Sequence, residues 1–191
     1  MARPRIRPTT PEAAAAGRAA VESVGGVVFV PKGAATYETK NGLGKRWSLR
    51  GEIVKASVEV GGTKEAPDNN EAVFYLQVKS LPFNGVDEDK RVPAGTVYHL
   101  RTRVNYEKID AGDEMAIRND GVMTSLYAAL GVDTAAGISE EIIEGAFPEK
   151  EKSNQSTLRG KRLFATLSLN PSKKEGGTGY LNVDRFLPDS E

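Results

Sequence analysis

Only one stretch of this chain repeats its apolar residues at helical spacing: Val122, Met123, Leu126, Tyr127 and Leu130, with Asp120 as a cap in front and Gly131 where a helix would stop. Elsewhere the patterned segments alternate with a period of two, as in a strand buried on one side. Val97 to Tyr106 (VYHLRTRVNY) is the clearest case, with Tyr98, Leu100, Thr102, Val104 and Tyr106 on one face and Val97, His99, Arg101, Arg103 and Asn105 on the other. A single long helix among strands excludes a doubly wound fold, in which strand and helix alternate throughout.

The remaining segments fill in an order. Gly25–Val30 (GGVVFV) predicts a short extra strand at the start, closed by Pro31 and Gly33, and a loop follows through Asn41, Gly42 and Gly44. Trp47–Val60 reads as one long, bent strand with Gly51 at an expected bulge. After a loop over Gly61–Glu71, Ala72–Ser80 alternates, with Ala72, Phe74, Leu76 and Val78 on one side and Val73, Tyr75, Gln77 and Lys79 on the other. Ser139–Glu144 adds a short helical segment. Arg159–Asn170 then turns Leu163, Ala165, Leu167 and Leu169 inward and Arg162, Phe164, Thr166 and Ser168 outward. A basic, glycine-rich loop over Pro171–Gly179 leads to a last strand, Tyr180–Phe186. Three strands, a helix and two strands match the OB-fold, a five-stranded Greek-key barrel, here mainly β with an extra N-terminal strand. The expected organisation is a flexible basic arm over residues 1–25, one domain over 26–187 and a short acidic end over 188–191.

Composition narrows the chemistry. The 191 residues include no Cys and a single His, which excludes thiolate zinc sites, Cys nucleophiles and His-pair metal sites. Gly42-Leu43-Gly44-Lys45 lacks the spacing of a phosphate loop, and neither Asp87–Asp89 nor Asp110, Asp113 and Glu114 have the pattern of a calcium loop. The expectation is a protein without enzymatic activity, metal or cofactor. No apolar run is long enough to span a membrane and no secretory leader is recognisable, so a cytoplasmic location is expected.

Lys plus Arg number 26 and Asp plus Glu number 26, a neutrality that at first argues against a polyanionic partner. By segment the balance breaks: residues 1–50 carry 9 basic and 3 acidic side chains, whereas residues 101–150 carry 5 and 10. A polyanion responds to the field of one face, so a neutral chain can hold a basic groove. In an OB barrel that groove crosses the second and third strands, where single-stranded nucleic acid requires cations for phosphate and rings for bases. The candidate rings are Trp47, Tyr75 and Tyr180; the candidate cations are Arg50, Lys79, Arg101, Arg103, Lys161, Arg162, Lys173 and Lys174. Each also has a packing or solvating role open to it: Trp47 equally suits a core anchor, and Phe164 suits a position under a loop.

The succession RVNYE (103–107), GVMTSLYAALGV (121–132), LRGKRLFATLSL (158–169) and GGTGYLNVDRFLPDSE (176–191) resembles bacteriophage single-stranded-DNA-binding proteins over roughly residues 97–191. The resemblance implies a cofactor-free barrel that coats single strands during phage DNA replication or recombination, inside the host cytoplasm. Functionally related bacterial proteins end in a long acidic tail with a terminal Phe; Leu187-Pro188-Asp189-Ser190-Glu191 is short and lacks it. Recruitment of replication partners through such a tail is therefore not implied; the expected partners are single-stranded DNA, a second copy through the arm, and replication or recombination proteins. A phage structural or assembly protein, with arm and β-domain packed on neighbouring subunits, uses the same residues and stays open as the alternative.

Overall fold

The computed structural model describes residues 28–60, 71–135, 137–173 and 179–190. The expected N-terminal arm, most of the loop after the long strand, and Lys174 lie outside these residues.

The chain is mainly β. Six strands, β1 (Ala35–Thr39), β2 (Gly42–Val60), β3 (Glu71–Ser80), β4 (Val97–Asn105), β5 (Arg162–Asn170) and β6 (Tyr180–Pro188), form one antiparallel sheet. The order is β4-β3-β2-β5-β6, and β1 is added to the start of β2 through the two-residue connection Lys40–Asn41. Between β4 and β5 come three helices, α1 (Tyr106–Asp110), α2 (Glu114–Ala129) and α3 (Glu140–Ala146).

Strand β2 organises the sheet. Lys45–Glu52 pair with β5 and Gly51–Val60 pair with β3, so the strand passes from one half of the sheet to the other at Gly51 and Glu52. Gly51 is required there, because a Cβ would stand 2.4 Å from Cγ1 of Val78 and 3.2 Å from the carbonyl oxygen of Lys79. Beyond it the register slips by one residue between Ile53 and Lys55, a bulge that turns Lys55 outward and Ala56 into the core. The sheet curls: its terminal strands β4 and β6 touch without a hydrogen-bonded ladder, and α2 packs on both.

The core lies between the curled sheet and the helices. The alternating residues expected to point inward do so: Phe74, Leu76 and Val78 from β3, Tyr98, Leu100 and Val104 from β4, and Leu163, Ala165 and Leu167 from β5 are buried. Val122, Met123, Leu126 and Tyr127 of α2 close one side, and Phe147 after α3 meets Phe74 edge to face at 4.9 Å.

Several boundaries differ from expectation: β2 starts at Gly42, β5 starts at Arg162, and Tyr106 opens α1 instead of ending β4. Val28–Val30, the described part of the apolar run at 25–30, is not a strand; Val28 and Val30 pack on the core as irregular backbone, and the carbonyl of Phe29 accepts a hydrogen bond from the Tyr98 hydroxyl at 2.8 Å. The extra strand is β1, in the segment read as loop. Helix α2 begins a full two turns before Asp120: Asp113 caps it by accepting from the Ala116 amide at 2.9 Å, and the exposed Met115 and Ile117 break the apolar stripe that would have marked its first turn. Strand β6 runs on through Pro188, which pairs opposite Leu163.

Candidate nucleic-acid interface

The outward face of β2, β3 and β4 is built from cross-strand rows. Alternation sends Val73, Tyr75, Gln77 and Lys79 away from the core on β3 and Val97, His99, Arg101 and Arg103 on β4, while the bulge adds Lys55, Ser57 and Glu59 of β2. Register then sets the neighbours: Lys55, Gln77 and His99 form one row, Ser57, Tyr75 and Arg101 the next, and Glu59, Val73 and Arg103 the third.

Tyr75 is half-buried, and its hydroxyl donates to a carboxylate oxygen of Glu59 at 2.9 Å. Burial, then the bond to Glu59 and its charge, push the phenol up to about 12 from the ordinary 10.0. The ring is thus held neutral and fixed in place beside the Arg101 guanidinium. Arg103 pairs with Glu71 at 3.0 Å. Among the described residues, Lys55, Lys79 and Arg101 form no ion pair, which leaves Arg101 beside the anchored ring, Lys55 one row away and Lys79 two rows away. Lys55 was absent from the candidates read from sequence, because simple alternation does not reveal that a bulge keeps it on this face.

The other candidates fall in different places. Trp47 is not a surface ring: it is 5% exposed and packs in the core, its ring centroid 6.2 Å from that of Tyr98. It lies on the inward side of β2, two residues before the buried Leu49, so the reading as a stacking ring is corrected to that of a core anchor. Arg50 is likewise no free cation. Its guanidinium grips Asp189 with two bonds, Nε to Oδ1 at 2.9 Å and Nη2 to Oδ2 at 3.0 Å, and Nη1 donates to the carbonyl of Pro82 at 3.2 Å. Both side chains are nearly buried, at 13% and 11% exposure, so Arg50 holds the chain end and the β3–β4 connection against β2. Phe164 packs edge to face on Phe83 at 4.8 Å, under that connection.

Lys161 and Arg162 are exposed at the start of β5, and Arg162 reaches Glu52 at 3.9 Å. Lys173 and Tyr180 are exposed at the far end of β5 and β6, where Leu169 pairs with Lys45. They attach to the opposite half of β2 from the row of Tyr75 and Arg101, which starts at Ser57, twelve residues further along the strand, or about 40 Å if it ran straight. Lys174 lies outside the described residues.

Two acidic side chains away from this face have structural partners. Asp87 binds Lys90 at 2.6 Å, a bond that holds its carboxyl below the ordinary range, and Asp184 joins Arg46 at 2.9 Å, Arg118 at 2.5 Å and the Ser168 hydroxyl at 3.0 Å. Among the described residues no group of three or more His, Cys, Asp or Glu is placed to hold a metal ion, and no helix is long and apolar enough to cross a membrane. A cavity of about 60 Å³ beside Met123, Tyr127 and Ile143 is far below the several hundred Å³ of a ligand pocket.

No family model, curated protein or solved structure matches this chain.

Proposed function

We propose that this chain is an OB-type barrel that binds single-stranded DNA without catalysis and largely without regard to sequence. The observation that carries the reading is the row of Ser57, Tyr75 and Arg101, with Lys55 in the next row and Lys79 one row beyond it, both without an ion pair among the described residues. A half-buried ring fixed by its hydroxyl offers a flat surface to a base, and neighbouring cations take the phosphates, a stacking mode that tolerates any base. Strand order supports the barrel: a long strand paired on one side with the next strand and on the other with the fourth, and helices between the third and fourth, is the OB arrangement once β1 is set aside. The resemblance of residues 97–191 supplies the setting, protection of single strands in phage replication or recombination within the host cytoplasm.

The test is titration of an end-labelled oligothymidylate and of a duplex, followed by anisotropy at several salt concentrations. Trp47 emission is unsuitable because the ring is buried. Wild-type protein is expected to prefer the single strand, with affinity falling steeply as salt rises. Tyr75→Ala should cost about 1–3 kcal/mol of binding, while Tyr75→Phe keeps most of it. Arg101→Ala should weaken binding and lower the salt slope by about 0.7. Absence of single-strand binding at low salt sinks the proposal; accompanied by large assemblies in solution, it would favour the assembly-protein alternative.

A further inference from the structure

Glu52 is the one outward residue of β2 with a ladder partner on both sides: it pairs with Lys79 of β3 and with Arg162 of β5. Val97, Lys79, Glu52 and Arg162 therefore form a single row across β4, β3, β2 and β5, among the described residues the only outward row that joins the Tyr75 face to the β5 half of the sheet. Two strand spacings, about 10 Å, separate the backbones of Lys79 and Arg162.

Beyond Arg162 the cations continue on firmly held backbone. Arg159, Lys161 and Arg162 are all exposed, and the corner carrying them is tied to β2 by two hydrogen bonds, Gly160 N to Ile53 O at 2.8 Å and Ile53 N to Lys161 O at 2.9 Å. Gly160, at φ +80°, supplies the left-handed turn that this corner requires. A cation cluster on fixed backbone loses less freedom on meeting a phosphate than one on an unconstrained loop.

We infer that the single-strand path leaves the Tyr75 face over Lys79 and ends at the Arg159–Arg162 corner, with Glu52 as an intramolecular anion that a phosphate displaces from Arg162. The inference rests on the proposed single-strand binding and adds its direction and its second anchoring point. Two features single out the Glu52 pair as displaceable. Its separation is 3.9 Å, and its side chains are 58% and 36% exposed, against the two-bond grip of Arg50 on Asp189. An exposed, one-point ion pair contributes little and yields readily to a phosphate, which offers a guanidinium two charge-assisted bonds.

The experiment compares labelled oligothymidylates of about 5 and about 16 nucleotides, bracketing the reach of one barrel, on wild type, a Lys161→Ala/Arg162→Ala double variant, and Glu52→Gln. The double variant is expected to bind the long strand on the order of tenfold more weakly, with a salt slope lower by about 1.4, and the short strand as before. Glu52→Gln should bind the long strand several-fold more tightly, a gain that misfolding cannot produce, and the short strand equally well. Equal effects on both lengths, or none on the long strand, overturn the path while leaving the Tyr75 face intact. Wild-type protein that binds neither length overturns both.

Discussion

Two arginines close together in β2 show how far a charge is defined by what the fold brings to it. Arg46 stacks its guanidinium over the Tyr37 ring at 4.6 Å and pairs with Asp184 from β6; Arg50 clamps Asp189 and the Pro82 carbonyl. Along the chain they belong to one basic cluster with Lys45, and nothing local distinguishes a structural cation from one offered to phosphate. The carboxylate partners are more than a hundred positions distant. Because the Arg50–Asp189 pair is nearly buried, Asp189→Ala takes the carboxylate partner away from a largely desolvated guanidinium. It should cost about 3 kcal/mol in urea unfolding while leaving single-strand affinity of the folded protein unchanged. A loss of affinity without a loss of stability would return Arg50 to the binding face. Trp47 and Tyr75 make the same point for rings: both lie in alternating strands, and parity against the core, which a single bulge reverses, decides which one is available.

At the scale of elements, strands that bury one side were legible and those that bury neither were not. β3, β4 and β5 alternate because each has core on one face and solvent on the other. β1 is exposed or half-exposed throughout, so its five residues carry no period, and it exists because the adjoining start of β2 offers an unpaired edge. The start of α2 was hidden by its exposed Met115 and Ile117, whereas its end at Gly131, with φ +81°, was legible from the residue type. Gly51 was marked as a special position, and its reason is the approach of β3. Gly51→Ala is therefore expected to destabilise by about 1–3 kcal/mol through overpacking against Val78, read as a lower urea midpoint with an unchanged denaturant slope. An unchanged midpoint would mean that β2 and β3 separate there at little cost.

At the scale of the molecule, the neutral total still leaves Lys55, Lys79 and Arg101 without an ion pair, among the described residues, on the outward side of the sheet that also carries Glu52 and Glu59. The same curled packing raises three phenols, which predicts a loss of stability at alkaline pH. Tyr75 and Tyr98 are pushed up to about 12, both chiefly by burial, and burial raises Tyr127 as well. A phenol whose pKa is higher folded than unfolded contributes its full share below the unfolded value of 10.0 and loses it as pH climbs through the folded one. Stability should thus be insensitive to these groups below pH 10 and fall between pH 10 and about 12, in step with the phenolate absorbance. Tyr75→Phe combined with Tyr98→Phe should flatten that fall; an equally steep fall would assign it to other groups.

Sequence by itself determined the strand-rich class, the inward residues of β3, β4 and β5, the single long helix and the candidate cations of β4, because periodicity and residue type are local properties of the chain. Tertiary structure alone decided that Trp47 is core, that Arg50 is a clamp, that Lys55 joins the outward face, and that Glu52 links Lys79 to Arg162. Each of these depends on register between segments far apart in the chain. Register is set by the summed burial of a whole face and by a bulge that no local pattern announces.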